Sequence, residues 1–231
     1  MEFYKYRRRE ASVVLIGTFF PLLLTPHWFV RNRLLPSEDV DQNIGIDVIV
    51  KEFARFSLSS ITIEVQENRL SIKSFEESFD FLMLDLAKGI LALLPESNVT
   101  AIGLNIYHDL ECLDIDFAHF LGDMLVPKDI WSSAFPESPR FGLINLQVQA
   151  VSPGGDSFYN FSVFPVHKPD LVRFSLNNHF EKKADSSEVG SKGFEAVEVI
   201  ESGWASTLSL YEHVSNYVLD AASEGFANER S

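Results

Sequence analysis

The stretch that decides how this chain folds is NVTAIGLNIY, residues 98–107. Its middle is apolar and contains β-branched residues, a composition that favours a buried strand. A long amphipathic segment leads into it, and a dense cluster of acidic residues and histidines follows it. We therefore predict a central strand here. We expect the residues that directly follow it to be the richest in functional polar side chains.

The segments before the central strand alternate between strand and helix patterns. The predicted elements are a buried strand at 12–19, a short helix at 26–34, extended segments at 44–50 and 54–65, and a helix at 76–94. Apolar and polar residues alternate up to Val65, and LSIKS returns after a turn at Asn68, which predicts a hairpin. Thr25 before Pro26 predicts one capped helix start, and Ser74 with Glu77 predicts a capping box at another.

The segments after the central strand predict a helix, a meander and a long final helix. A helix capped by Asp114 or Asp116 is expected to run to about residue 124. The further elements are a helical turn at 128–133, strands at 141–151, 157–167 and 170–179, turns at 153–156 and 167–170, a mobile loop at about 181–193 and a helix at 194–223. Gly203 is expected to break the last helix, with Ser202 capping its second piece.

These patterns together predict an α+β fold. The strands should form one largely antiparallel sheet, packed by two long amphipathic helices on one face, because each long helix has a single apolar stripe. We find no internal repeat and no linker composition, so residues 1–231 are predicted to form a single domain.

The charge of the chain bears on its partners. The net charge is −14, and because the first nine residues carry +3, residues 10–231 carry −17. An acidic body repels phosphate backbones, so direct nucleic-acid binding is not expected. The charge suits a protein partner with a basic surface, although solubility is the simpler and favoured explanation of it. A homodimer is a further alternative.

The N-terminal residues imitate a signal peptide. Basic residues precede the apolar run 11–24, but Glu10 interrupts the junction, Pro21 interrupts the run, and 14 residues are too few to span a bilayer. We therefore predict a buried strand here, with no membrane association and a cytoplasmic location. The single cysteine, Cys112, excludes an internal disulfide and agrees with a reducing compartment.

One candidate site is the polar cluster that follows the central strand. Its members are His108, Asp109, Glu111, Asp114, Asp116 and His119. Such side chains serve metal sites and acid–base catalysis, but their spacing matches no metal motif, and acids at a helix start also offset its dipole. Nearby acids should raise the pKa of Cys112 and oppose a reactive thiolate. We assign no catalytic residue, metal or cofactor, and an enzyme is the less favoured class.

A second candidate site joins the ends of two strands. Asn177 and His179 end the strand at 170–179, and Asn105 ends the central strand, so the three could share a pocket. Trp28 is the candidate for the wall of that pocket, and His108 is included as a further binding residue. Asparagine also ends strands by bonding its own backbone, which is the structural alternative.

Four motifs carry a resemblance to a known family. They are VLIGTFFPLLLTPHWF at 14–29, AIGLN at 101–105, LGDMLVPKDIW at 121–131 and NNHF at 177–180. In this order they resemble a sporadically distributed family of uncharacterised bacterial proteins with the pattern F-x-P, P-x-W-F, G-I-N, L-x-P-K-x-x-W and N-x-H-aromatic. Phe20 departs from the asparagine usual before Pro21. The resemblance implies a fold and a bacterial source, and it carries over no catalytic residue.

Three functions follow as hypotheses. The first is a non-enzymatic protein-interaction subunit of a bacterial complex, with antiviral defence or a toxin–antitoxin system as its setting. The second is an acidic nucleic-acid mimic that blocks a DNA- or RNA-binding protein, which requires carboxylates in an even row. The third is an enzyme that uses the polar cluster at 108–119.

Overall fold

The computed structural model describes residues 2–38, 44–132, 134–135, 144–152, 155–182 and 196–230. Its strands are β1 (Tyr4–Ile16), β2 (Ile44–Ile49), β3 (Phe53–Leu58), β4 (Ile61–Gln66), β5 (Arg69–Ser74), β6 (Ala101–Cys112), β7 (Ile144–Ser152), β8 (Gly155–Val166) and β9 (Lys168–Lys182). Its helices are α1 (Pro26–Arg31), α2 (Asp80–Leu93), α3 (Ile115–Leu125), α4 (Asp129–Ser132) and α5 (Ala196–Glu229).

All the strands of the described residues belong to one antiparallel sheet. The order across the nine strands is β2-β3-β4-β5-β1-β6-β9-β8-β7, so β6 occupies the interior between β1 and β9. The predicted hairpin is confirmed as β4 and β5, in which Gln66 pairs with Arg69. The predicted α+β class, with a largely antiparallel sheet, is confirmed.

The helices pack on one face of this sheet. Helix α2 contacts β1 and β5, and the long helix α5 contacts β6 and β9. Alternate residues of each strand point to this helix side, and those at the centre, such as Val13, Ile72 and Leu104, are fully buried. Two groups of buried side chains form the core there, one beneath α2 and the start of α5 and one beneath α3 and the rest of α5.

Helix α5 runs unbroken through Gly203, so the predicted break there is wrong. A β-carbon at this glycine would lie 2.8 Å from Cδ1 of Leu104 and 3.2 Å from the ring of Phe180. The glycine lets the helix approach β6 and β9 closely, and this packing outweighs its low helix propensity. Ser202 caps nothing, and its hydroxyl donates to the carbonyl of Glu198.

The predicted helix caps have mixed outcomes. Asp114 caps α3 as predicted, with Oδ1 accepting from the amide of Asp116 at 2.9 Å. Thr25 occupies the cap position of α1, with Pro26 following, but its side chain makes no capping bond. The capping box of Ser74 and Glu77 is wrong, because a 3-10 turn at Glu77–Phe79 precedes α2 and the Ser74 hydroxyl donates to the carbonyl of Glu76.

Strands β1 and β6 extend furthest beyond their predicted bounds. Strand β1 begins at Tyr4 and includes the arginine run, with a register shift between Tyr6 and Arg8. Strand β6 continues to Cys112, so the first half of the predicted polar cluster lies inside the sheet. From Asp109 to Cys112, polar and apolar residues alternate, as expected for a strand with one polar and one apolar face.

Some predicted elements fall outside the described residues. These are residues 141–143 of one strand, 153–154 of one turn and 183–193 of the predicted mobile loop, whereas 181 and 182 extend β9. The second predicted turn contracts to His167, whose φ is 59°, because Lys168 already begins β9. Among the described helices, none is both long and apolar enough to cross a membrane.

Candidate binding site on the open face of the sheet

The sheet face opposite the helices, here called the open face, is polar at its centre. One row of residues crosses it through paired positions on adjacent strands: Gly45, Ser57, Thr62, Lys73, Ser12, Asn105, Asn177, Asn160 and Gln147. Alternation along each strand directs these side chains away from the helices. The sequence thus gives the interior strands two different faces, one apolar and one built from amides, hydroxyls and charges.

Two asparagines at the middle of this row hold each other in a fixed orientation. The side-chain amide of Asn105 donates to the carbonyls of Ser12 at 3.4 Å and Gly103 at 3.3 Å, and to the Ser12 hydroxyl at 3.2 Å. Carbonyls only accept, so Oδ1 of Asn105 must face Asn177, whose amide donates to it at 2.5 Å. Oδ1 of Asn177 is thereby left buried without a donor among the described residues.

A depression of about 460 Å³ lies at this point of the open face. It is lined by Glu10, Ser12, Val14, Ile16, Arg69, Ser71, Lys73, Gly103, Asn105, Tyr107, Asn177 and His179. Gly103 forms part of its floor, where a β-carbon would lie 3.3 Å from Nδ2 of Asn177. Ser71 is 2% exposed, and its hydroxyl has no hydrogen-bond partner among the described residues. We call this depression the open-face pocket.

Most charges of the open face are neutralised within it. Nε of Arg173 lies 2.6 Å from Oδ1 of Asp109, and its guanidinium lies 3.7 Å from the centre of the Tyr107 ring. Other pairs join Lys5 and Arg7 to Glu111, Arg8 to Glu10, Arg55 to Asp47 and Glu64, and Lys73 to Glu64. Arg69 is exposed and forms no ion pair with any described residue, so the pocket has an uncompensated cation at its rim.

The far end of the pocket is closed by a phenol and a carboxylate. The Tyr107 hydroxyl donates to Oε2 of Glu10 at 2.8 Å. Burial raises the pKa of Tyr107 to about 12, and the bond to Glu10 acts in the same direction. Tyr107 therefore remains a neutral hydrogen-bond donor, already used, at neutral pH.

The structure brings together three of the five residues proposed for a binding site. Asn105 pairs with Asn177 across β6 and β9, and His179 pairs with Gly103 beside them. Trp28 does not form the wall of this pocket, because it lies in α1 and packs on the helix-side core next to Phe29. The sequence could not show the position of Trp28, because tertiary packing decides on which face of the sheet α1 lies.

His108 points to the helix side and away from the open-face pocket. Its Nδ1 lies 2.8 Å from the Tyr211 hydroxyl of α5, and its ring stacks on that of Tyr211. Burial lowers the pKa of His108 to about 4, and the positive charge of Arg9 adds to the shift. This histidine and Tyr211 also line a second depression, of about 490 Å³, beside Tyr6 and the arginines of β1.

The polar cluster at 108–119 is dispersed rather than assembled. Asp109 and Glu111 lie on the open face in ion pairs, whereas Asp114 and Asp116 both face Arg230. Among the described residues, no group of three or more histidine, cysteine or carboxylate side chains could hold a metal ion. Cys112 is buried, which raises its thiol pKa to about 12, with the charge of Asp170 as a further cause.

Several residues of the open-face pocket were missed by sequence reasoning. Arg69, Ser71, Lys73 and Ser12 line the pocket because β1 lies beside β6 and β5 lies beside β1. Alternation within LSIKS shows that Ser71 and Lys73 share a face, but only the strand order shows what that face meets. A scan against models of protein families and a search of curated proteins each gave no match. The resemblance stated above therefore stays a prediction.

Proposed function

We propose that this protein is a non-enzymatic interaction subunit that binds a partner protein through the open face of its sheet. The observation that carries the proposal is the open-face pocket, where, among the described residues, a buried hydroxyl has no partner, an acceptor has no donor and an arginine at the rim has no ion pair. Buried polar groups are normally hydrogen-bonded, so such groups at a surface depression indicate a bound ligand.

The arrangement of the carboxylates supports binding rather than catalysis. Each of the carboxylates that the sequence placed in a catalytic cluster forms an ion pair with an arginine or lysine. Two of them lie on the open face and two lie beside Arg230, so the four do not form the single cluster that acid–base catalysis by paired carboxylates needs. The bacterial complex, in antiviral defence or a toxin–antitoxin system, remains the setting we propose from the resemblance.

From the net charge, the sequence predicts a partner with a basic surface. The acidic part of the molecule that suits such a surface is helix α5 rather than the open face. Helix α5 has six carboxylates and no lysine or arginine over 34 residues, and most of these carboxylates are exposed. We propose that α5 attracts a basic region of the partner over long range, whereas the open face makes the specific contacts.

The same helix is the observation that favours a nucleic-acid mimic as the second candidate. Its carboxylates are Glu198, Glu201, Glu212, Asp220, Glu224 and Glu229. Their separations of 3 to 11 residues correspond to roughly 4 to 17 Å along the helix, at about 1.5 Å per residue. Phosphates repeat at a constant interval, so this uneven row favours general attraction over mimicry.

Site-specific photo-crosslinking in cells that express the protein tests the proposal. A benzophenone side chain at Gln66 or Ser162, both on the open face, should capture one partner, whereas the same group at Tyr217 or Ser209 on the exposed side of α5 should capture far less. A product of twice the mass of the chain would indicate a homodimer instead. Capture from α5 alone would contradict the assignment of the open face.

A further inference from the structure

We propose that the outer edge of β7 binds the same strand of a second copy of this chain, so that the two sheets join into one. This contact lies outside the proposed function, because it uses the edge of the sheet rather than the open face. Among the described residues, β7 is the last strand of the sheet and pairs with β8 alone. Every second residue of an edge strand directs its backbone N–H and C=O away from the sheet, so β7 offers hydrogen bonds to another strand.

The composition of β7 leaves this edge open to pairing. Sheet edges are commonly protected by charged side chains, proline, bulges or very short strands. The nine residues of β7, INLQVQAVS, include no charged residue and no proline, and their register with β8 has no shift. Strand β7 therefore has none of these protections, in a chain whose net charge is −14.

The opposite edge of the sheet has the protections that β7 lacks. Strand β2 has six residues, and its register with β3 shifts between Ile46 and Val48. Asp47 lies at that shift, with Nε of Arg55 3.0 Å from its Oδ2. A strand that paired with β2 would meet an irregular backbone and a charged pair. Because one edge is open and the other is protected, association through β7 ends at two copies and does not continue into a fibre.

The side chains of β7 select a strand like β7 itself. On the helix side, Leu146 and Val148 are 55% and 57% exposed. On the open face, the exposed side chains are the amides of Asn145, Gln147 and Gln149. A strand added here must be uncharged and must alternate aliphatic and amide side chains, because each face of the sheet continues into it. A basic partner finds no carboxylate on β7, whereas a second copy of β7 has the required pattern.

One register satisfies both faces of the joined sheet. It places Gln147 opposite Gln147 of the second copy, with the two-fold axis between them. The open-face row of amides, in which Nε2 of Gln147 donates to Oδ1 of Asn160 at 3.0 Å, then continues into the second copy. The same register sets Leu146 opposite Val148 of the second copy, so the exposed aliphatic side chains cover one another.

Sedimentation equilibrium of the full-length protein over a concentration series tests the inference. A contact between two strand edges is small, so we expect a reversible dimer with a dissociation constant in the micromolar to millimolar range. The two chains repel each other with a net charge of −14 each, and β7 has no charge, so added salt should strengthen the dimer. A monomer at every concentration up to about 1 mM, or a dimer that dissociates as salt is added, would overturn the inference.

Val148→Lys localises the contact. The lysine places a charge against an aliphatic side chain of the second copy and should weaken the dimer about tenfold or more. The melting temperature of the monomer should change little, because Val148 is exposed. Ile46→Lys is the matched control, since Ile46 is 55% exposed, faces the same side of the sheet and lies on the other edge strand. Equal dissociation constants for the two variants would overturn the assignment to β7.

Cysteine crosslinking tests the register. Gln147→Cys should give a covalent dimer under mild oxidation, because the two cysteines lie opposite each other. Gln149→Cys should give far less, because its two copies would lie about 14 Å apart. The native Cys112 is buried, so the wild type should stay uncrosslinked. Equal yields from the two variants would contradict this register.

The dimer contact and the proposed function are separable by experiment. Ser162 pairs with Asn145 of β7, so a benzophenone at Ser162 also reaches the second copy, whereas Gln66 lies on β4 towards the other edge. A product of twice the mass of the chain from Ser162 should disappear with Val148→Lys. Capture of a different partner from Gln66 should persist in that variant, and its loss there would contradict the separation of the two surfaces.

Discussion

The two sides of strand β6 are stabilised in different ways. Leu104 points to the helix side, where it is fully buried beneath α5 near Gly203. Asn105, the next residue, points to the open face and exchanges hydrogen bonds with Ser12 and Asn177. The stability of the helix side comes from close packing of apolar side chains, which leaves no group free for a ligand. The open side depends on hydrogen bonds and ion pairs, some of whose groups remain available to a ligand.

This difference shows why one side is suited to stability and the other to recognition. Apolar burial contributes to stability without direction, and it leaves nothing for a partner to bind. A polar face can be ordered by its own ion pairs and still present unpaired donors and acceptors.

The largest effects should come from two bidentate arginine–aspartate pairs, one on each side of the sheet. Asp80 binds Arg9 on the helix side, and Asp109 binds Arg173 on the open face. Asp80→Ala should lower the free energy of unfolding by about 3–5 kcal/mol, because Arg9 is left buried and unpaired. Asp109→Ala should cost about 2–3 kcal/mol, because Arg173 is more exposed and can reach water.

Urea unfolding of both variants measures this difference. Arg8→Ala serves as the control, since its pair with Glu10 is exposed and should contribute less than about 1 kcal/mol. A larger loss for Asp109→Ala than for Asp80→Ala would show that the open face, and not the helix side, holds the more tightly locked pair.

The next effect compares the two neighbours on β6. Leu104→Ala should lower the free energy of unfolding by about 2–5 kcal/mol through lost burial and a cavity under α5. Asn105→Ala should cost about 1–2 kcal/mol, because the amide of Asn177 loses its acceptor in a half-buried position. Thermal and urea unfolding measure both losses. Partner capture should fall for Asn105→Ala and persist for Leu104→Ala in the folded fraction; the reverse pattern would contradict the open face as the binding side.

His108 should give the helix side a pH-dependent contribution to stability. The pKa of His108 is about 4 in the folded chain, below its unfolded value of about 6.5, so the unfolded state binds the proton more readily. The contribution of this histidine is present above pH 6.5 and is lost as the pH falls towards 4. After allowance for partial exposure, the loss should be on the order of 1–2 kcal/mol.

Unfolding curves between pH 7 and 4 test this, with the wild type compared with His108→Gln. Carboxylates titrate in the same range, so the difference between the two proteins is the measurement. His108→Gln should flatten the curve relative to the wild type. Identical slopes for the two proteins would show that His108 is not kept neutral by its surroundings.

The periodicity of the sequence predicted much of the fold. The places where this prediction failed have physical causes. Alternation up to Val65 predicted the hairpin, and the stripes of α2 and α5 predicted that both helices cover one face. Residues 108–112 were misassigned because His108 was counted as polar, although its inward ring is satisfied by Tyr211. With His108 counted as an inward residue, the alternation continues unbroken to Cys112.

The candidate site was harder to predict, because it depends on the order of strands. Asn105, Asn177 and His179 were grouped from their positions at predicted strand ends, and the register of β6 with β9 places them together. Nothing in the sequence indicates that β1 separates β5 from β6, which brings Ser71 and Arg69 to the same pocket. Strand pairing over such separations is a tertiary property that local pattern does not encode.

The smallest effect on stability, and the sharpest test of the open face, should come from Gly103→Ala. The added methyl group would lie 3.3 Å from Nδ2 of Asn177 and 3.4 Å from Nδ2 of Asn105, which requires a shift of a few tenths of an ångström. The loss of backbone freedom in the unfolded chain offsets that crowding, so the free energy of unfolding should change by less than about 1 kcal/mol. The methyl group would nevertheless occupy the floor of the open-face pocket and should abolish binding there. Gly45→Ala is the matched control, because Gly45 also lies on the open face, on β2 at the edge of the sheet, and no atom of the described residues lies within 4 Å of its added β-carbon. Partner capture should fail for Gly103→Ala and remain for Gly45→Ala. Retained binding in a folded Gly103→Ala protein would mean that the pocket is only a gap between side chains, and that any partner contacts the face elsewhere.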